Sequence, residues 1–350
     1  MKPEKSFTKI IQYLDKTIFN NKKFDIKNTL VITGSPRSGT TWLMEILRVI
    51  PGYTSLFEPL NPIYFPESFE TGFRSRTYLS PNKDWQIGEE YLKKIFTGQY
   101  PYYTGLLESG SYLNMKFSML ISGLLYQLKP ELLIHKLLGN KLIVKFVRFN
   151  RLLPWVVKRF QLRNIILIIR HPCAVIASQL KTGFYGYHPA FPPYIDIFPN
   201  RKNILDEASK IDVLNHSLLN KLKKIKTKEE ILAASWCLDT YVPLSYPKPY
   251  PWTVVIYEKL IKDGENEIIR LFNEIGEKKV PHSAFRHIRI PSLLIQKDDH
   301  EIILEASEQL SKWKRFLSEK QVERILRVVS DFGLDFYTED LEPDYENVGI

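Results

Sequence analysis

Residues 29 to 58, TLVITGSPRSGTTWLMEILRVIPGYTSLFE, constrain the fold of this chain more than any other stretch. Leu30, Val31 and Ile32 make a short apolar run rich in β-branching, and residues 33 to 39 interrupt it with two glycines. Trp42, Leu43, Ile46, Leu47 and Ile50 then recur at helical spacing. The order is strand, glycine-rich loop, helix. Gly34 and Gly39 let the backbone fold closely around a ligand, and the helix that follows turns unsatisfied N–H groups and a positive dipole end toward the same place. Such a turn attracts an anion, phosphate above all.

The loop departs from that of a nucleoside-triphosphate hydrolase, which reads G-x-x-x-x-G-K-[ST]. Here Gly39 is followed by Thr40 and Thr41, so the lysine that reaches the β- and γ-phosphates is missing, and Arg37 sits inside the loop instead. Its guanidinium can fork onto phosphate oxygens, with Ser38, Thr40 and Thr41 adding hydroxyl donors.

A second unit has the same grammar. Residues 164 to 170, NIILIIR, form a near-continuous apolar strand of the kind buried between two helix layers in a parallel sheet, and residues 171 to 184 turn into a helix. Arg170 falls at the strand end, the edge where open α/β sheets bind ligands. A nucleotide hydrolase would place a metal-binding aspartate there. The arginine indicates an anion, and Ser178 on the following helix adds a hydroxyl. The expected fold is therefore P-loop-like, a three-layer α/β/α arrangement with a central parallel sheet.

These residues resemble the sulfotransferases that use 3′-phosphoadenosine-5′-phosphosulfate (PAPS). The string PRSGTT looks like their 5′-phosphosulfate loop in the carbohydrate and tyrosyl-protein branches, whereas cytosolic small-molecule members have lysine where this chain has Arg37. Arg170-x-Pro172 with Ser178 resembles the site that holds the 3′-phosphate, although His171 stands where the carbohydrate branch usually carries aspartate. Phe57-Glu58-Pro59 and the Lys145-x-x-Arg148 pair also resemble the carbohydrate branch. Tyr257-Glu258-x-Leu260 is similar to a family motif, read here as structural, and Trp313-Lys314 resembles a donor-binding segment of bacterial members.

The resemblance covers residues 29 to 337, leaving an N-terminal helical segment at 1 to 28 and an acidic tail at 338 to 350. It implies PAPS as co-substrate, contacted by Pro36, Arg37, Ser38, Gly39, Thr40, Thr41, Trp42, Arg170 and Ser178, and no metal. It implies a hydroxyl acceptor, a glycan or another anionic or ring compound, with no nucleic-acid partner. Glu58 is the expected general base and Arg37 the expected catalytic cation; Lys145 and Arg148 could meet donor or acceptor. His171 and His188 are rival bases without a spacing argument. His282 and His287 suggest a metal pair only weakly, since no third ligand accompanies them.

Composition supports this class without choosing within it. Hydrophobic residues make up 44% and charged residues 25%, which is globular, and a formal charge of +10 favours anionic partners of any kind. A nucleotide-dependent kinase and a non-catalytic polyanion-binding protein share that charge. No apolar run approaches the roughly 18 residues of a bilayer span, and the first residues are too polar for a secretory signal, so a cytoplasmic protein is expected. Two cysteines, Cys173 and Cys237, argue against a disulfide scaffold and read as core.

Elsewhere the periodicity predicts an amphipathic helix over 5 to 20 and a strand over 141 to 149. It predicts helices over 152 to 160, 218 to 240 and the segment after Ser318, and a strand over 252 to 260. The aromatic, proline-punctuated stretches 59 to 115 and 184 to 202 read as loops suited to substrate contact. The lysines at 221, 223, 224, 226 and 228 read as a solvated face or an anionic-polymer contact.

Overall fold

The computed structural model describes residues 23–61, 65, 67–74, 76–99, 139–183, 198–288 and 306–348. At its centre is an all-parallel sheet of five strands, β1 (Thr29–Gly34), β2 (Tyr53–Phe57), β3 (Lys141–Lys145), β4 (Asn164–Ile169) and β5 (Thr253–Ile256), in the order β2-β3-β1-β4-β5. β1, β3, β4 and β5 are largely apolar on both sides because both faces are covered, whereas β2 includes Thr54 and Ser55. Alternate residues of β1 feed two cores, with Val31 in one and Leu30 and Ile32 in the other.

The helices used below are α1 (Thr40–Leu47), α2 (Gln86–Phe96), α3 (Pro172–Lys181), α4 (Lys228–Leu244), α5 (Tyr257–Lys262), α6 (Gly264–Glu274), α7 (His282–Ile288) and α8 (Glu319–Asp331). α1, α5, α6 and α7 contribute to the core on one face, while α2, α3, α4 and α8 contribute to the core on the other. This is the expected α/β/α layering. With all strands parallel and β1 central, the segments leaving β1, β2, β3, β4 and β5 emerge along one edge.

Several boundaries differ from the sequence expectation, each for a local reason. β2 had no counterpart in the sequence reading; its alternation of buried and half-buried residues over five positions is too brief a signal to separate from a turn. The strand expected over 141 to 149 stops at Lys145, where the chain curls so that Phe146 and Phe149 stack with centroids 4.3 Å apart. A 3₁₀ turn, Asn150–Leu152, and a short helix, Leu153–Val156, replace the helix expected over 152 to 160.

The strand expected over 252 to 260 ends at Ile256, so Tyr257 and Glu258 open α5. The helix expected over 218 to 240 is two, His216–Leu222 and α4, because Thr227 caps α4 in a reciprocal pair with Glu230. The stretch 59 to 115 is not all loop: within it α2 buries Tyr91, Leu92, Ile95 and Phe96. Ser318 and Gln321 cap α8 reciprocally, as its sequence predicts. Both cysteines are buried and free. Part of the acidic C-terminal stretch packs on the body, with Val348 buried and Glu342 paired with Lys262. The helix expected over 5 to 20 and residues 184–197 lie outside the described residues.

Candidate active site

The loop after β1 is shaped by close contact. A Cβ on Gly34 would lie 2.7 Å from the Ile168 carbonyl oxygen, and one on Gly39, which has φ of 98°, would lie 2.8 Å from the Tyr257 ring. Glycine is the residue these positions accept. Gly39 caps α1, whose first residues are Thr40 and Thr41. Between the glycines, Arg37 adopts φ of 77°, a left-handed conformation unfavourable for a side chain of its size.

Four contacts hold it there. The Ser38 N–H donates to the Ser35 carbonyl at 3.0 Å, Gln179 donates to the Pro36 carbonyl at 2.8 Å, Arg170 donates to the Arg37 carbonyl at 3.2 Å, and Arg37 Nε donates to Ser178 Oγ at 2.9 Å. Arg37 and Arg170, from the ends of neighbouring strands β1 and β4, thus meet in one place together with Ser178 from α3. Tyr257 supports Arg170 from below, with the guanidinium carbon 4.1 Å from the ring centroid. Trp42 stands behind this layer: its indole donates to the His287 carbonyl at 3.1 Å and its ring tilts against Tyr257.

The cations crowd one another. Burial and the neighbouring Arg170 hold the Arg37 guanidinium below its ordinary pKa. At the end of β3, burial depresses the Lys145 ammonium, Arg148 and Arg37 lower it further, and Glu58 opposes the shift. Like charges packed this closely are relieved by a bound anion. Two donor atoms also fit such a ligand: Ser38 Oγ and Arg170 Nε are buried and make no hydrogen bond among the described residues. The residues present therefore suit a bisphosphorylated nucleotide, with two separate guanidiniums and two orphaned donors gathered at one edge of the sheet.

Glu58 lies at the end of β2. Its N–H donates to the Lys145 carbonyl at 2.9 Å, its Oε1 pairs with the Lys145 ammonium, and its Oε2 accepts from the Val147 N–H at 3.3 Å. Glu58 has φ of 52°, and among the described residues it and Arg37 are the non-glycine residues with positive φ. Lys145 also stands 4.2 Å over the Phe57 ring. Glu58 is only 4% exposed, so it belongs to a buried ion pair facing the cation cluster.

His171 has a structural place. Its Nδ1 accepts from the Cys173 N–H at 3.1 Å, capping α3, which leaves Nε2–H to donate to the Thr338 carbonyl at 3.0 Å. Burial pushes its pKa down to about 4, so it is neutral near pH 7. The imidazole supplies the capping acceptor that an aspartate would otherwise provide. Glu258 lies beneath it, accepting from the His171 N–H at 2.9 Å and the Tyr337 hydroxyl at 2.8 Å, and burial raises its carboxyl pKa. Trp313 stacks on His171 with centroids 4.9 Å apart. His282 and His287 share α7, and among the described residues no group of three His, Cys, Asp or Glu side chains could share a metal ion. His188 is outside the described residues.

One group escaped the sequence reading altogether. Asp239, 2% exposed within α4, accepts from Ser35 Oγ at 3.3 Å, Arg76 Nε at 3.2 Å and Arg151 Nε at 2.8 Å. Its partners are 204, 163 and 88 residues away along the chain. No local pattern announces such a contact.

The fold and site define an α/β protein whose central strand runs into a P-loop-like turn that carries Arg37 beside a second arginine. No family model matches the chain, and no curated protein matches it. Among solved structures, it is similar to a sulfotransferase domain from the Synechococcus PCC 7002 olefin synthase, at 16% identity over 89% of this chain and 98% of that one, with a TM-score of 0.46. It is also similar to mouse sulfotransferase SULT7A1 complexed with PAP, at 13% identity over 92% and 88% of the two chains and a TM-score of 0.42. Sulfotransferase STF9 from Mycobacterium avium is a further likeness, at 12% identity over 95% and 82% with a TM-score of 0.42. No described helix is long and apolar enough to cross a membrane.

Proposed function

We propose that this chain is a sulfotransferase that moves a sulfuryl group from PAPS to a hydroxyl acceptor, with a carbohydrate hydroxyl the favoured class. The observation that carries the reading is the meeting of Arg37 and Arg170 at adjacent strand ends, where Arg170 donates to the Arg37 carbonyl and Arg37 donates to Ser178. Two guanidiniums at one edge of the sheet suit a nucleotide bearing an anion at each end of its ribose. A triphosphate site would place a lysine in the loop and a metal-binding acid at the end of β4.

In this reading Arg37, the loop N–H groups and the hydroxyls of Ser38, Thr40 and Thr41 hold the 5′ end of the donor, while Arg170 and Ser178 hold its 3′-phosphate. Bound there, PAPS supplies an activated sulfuryl group. The acceptor oxygen forms a bond to sulfur as the bond from sulfur to the 5′-phosphate oxygen breaks. Glu58 takes the hydroxyl proton, and Arg37 with the loop amides stabilises the charge growing on the departing phosphate, an effect often worth about 3 kcal/mol per donor. Lys145 pairs with Glu58 and so fixes where its side chain stands.

The deciding experiment is a transfer assay with labelled PAPS against hexosamine, uronic-acid, phenol and tyrosyl-peptide acceptors. It is paired with titrations of adenosine 3′,5′-bisphosphate, ATP and a heparin-like polymer. Transfer to a sugar hydroxyl with preference for the bisphosphate is expected. Preference for ATP, or binding of the polymer alone, would overturn the assignment.

A further inference from the structure

Asp239 touches three of the segments around the site, the loop after β1 and the stretches that follow β2 and β3. Ser35, one of its partners, begins the loop turn: its carbonyl accepts from Ser38, and Arg37 lies between the two. Arg151 follows the end of β3, three residues beyond Arg148, and Arg76 belongs to the segment that continues from Glu58. A second tie runs parallel, since Asn150 Nδ2 donates to the Asp239 carbonyl at 3.1 Å while Asn150 Oδ1 accepts from Thr33 Oγ1 at 2.6 Å. The outer side of the network is closed by Glu207, which accepts from Arg151 at 2.7 Å. Ser35, Arg76, Asn150, Arg151 and Asp239 are all at most 5% exposed, so water does little to screen or replace these bonds.

We infer that Asp239 is a positioning residue of the anion site, one carboxylate that fixes the Ser35 end of the loop against the segments following β2 and β3 and thereby sets where Arg37 stands. The alternative, a purely structural ion network, predicts that its loss lowers stability without selectively altering anion binding. The geometry distinguishes the two through Ser35. Its hydroxyl is a small part of the network's energy but is the side-chain link from Asp239 to the loop. Arg37 is strained, so loosening the turn lets it relax away from the orientation that meets an anion.

The inference rests on the anion-binding reading of the loop, and on sulfuryl transfer only if turnover is measured. The test measures binding of inorganic pyrophosphate and of adenosine 3′,5′-bisphosphate, with melting temperature, in the wild type, S35A, D239N and the double variant. S35A should weaken both ligands about tenfold, the loss of one modest hydrogen-bond contribution, with its melting temperature nearly unchanged. D239N should be less stable and bind weakly, and adding S35A to it should cost nothing more. Unchanged binding in S35A, or fully additive losses in the double variant, would overturn the positioning role; if D239N does not fold, S35A alone decides. A wild type that binds pyrophosphate but not the bisphosphate defeats the PAPS assignment while still allowing the Asp239 coupling to be read. Binding of neither defeats both.

Discussion

Arg170→Ala tests the proposed 3′-phosphate contact directly. Arg170 lies on Tyr257 with its Nε buried and unbonded among the described residues, and one terminal nitrogen is committed to the Arg37 carbonyl. That leaves Nε and the other terminal nitrogen, a fork suited to two phosphate oxygens. Hydrogen bonds to charged groups contribute about 1.5–3 kcal/mol each, and the lower figure applies to a partly open site. Two such bonds give roughly 3 kcal/mol, a loss of about 150-fold in affinity for adenosine 3′,5′-bisphosphate. The substitution also removes the brace on the Arg37 carbonyl and a like charge beside Arg37. Those changes act on the loop and alter binding of adenosine 5′-phosphate as well. The readout is therefore the ratio of the two losses, from calorimetric titrations at one fixed ionic strength. A ratio of roughly tenfold or more supports the contact. Equal losses would show that Arg170 merely shapes the loop, and the two-pocket reading would fail.

Glu58→Gln should reduce turnover by about 100-fold or more while leaving bisphosphate affinity within a few-fold, as expected for loss of a general base; undiminished turnover removes Glu58 from that role. His171 gives an acid-stability signature, because its pKa falls from 6.5 to about 4 on folding. The unfolded chain then binds the proton more readily, so stability is lost as pH falls from 6.5 to about 4, by up to roughly 3 kcal/mol. His171→Asn keeps a neutral capping acceptor and should flatten that part of the pH–stability curve in urea unfolding; an unaltered slope would contradict it. Anion binding should raise the depressed pKa of Lys145, so the complex should take up protons. Calorimetry in buffers of different ionisation enthalpy detects this, and no uptake at any pH up to about 10 would count against the crowded-cation picture.

The loop and the Arg170 unit were legible because each is local. A β-branched run, two glycines and helical spacing fit within about twenty residues, and the chemistry sits at the junctions. Glu58 was identified through the resemblance, but its setting was not legible. β2 is short and has two adjacent polar residues, Thr54 and Ser55, whereas its place beside β3 depends on parallel pairing with residues 88 positions later in the chain, as Phe57 meets Lys145. The overextended strand at 252 to 260 fails for a related reason. Tyr257 and Leu260 are apolar and buried, yet they are buried from a helix, and the end of an apolar run does not reveal where its period changes from two to 3.6. Asp239 is the limiting case. Inside α4 it looks like an ordinary polar residue of a helix, and its role exists only in the three distant segments that converge on it.

Backbone strain and charge crowding coincide at the same edge. Arg37 and Glu58 are both in left-handed conformations, and each is held by several hydrogen bonds from other segments. Strain of this kind, costing of order 1–3 kcal/mol per residue, persists where surrounding contacts determine the conformation. Between them lies Lys145, buried and pushed toward its neutral form, with only the Glu58 carboxylate opposing the combined effect of burial, Arg148 and Arg37. A fold selected for stability alone has no reason to gather Arg37, Lys145, Arg148 and Arg170 around a single strained loop. The proposed transfer site does, because cations that grip the donor and stabilise the phosphate oxygen from which sulfur departs are then already in place, at a free-energy cost borne by the fold, before the ligand arrives.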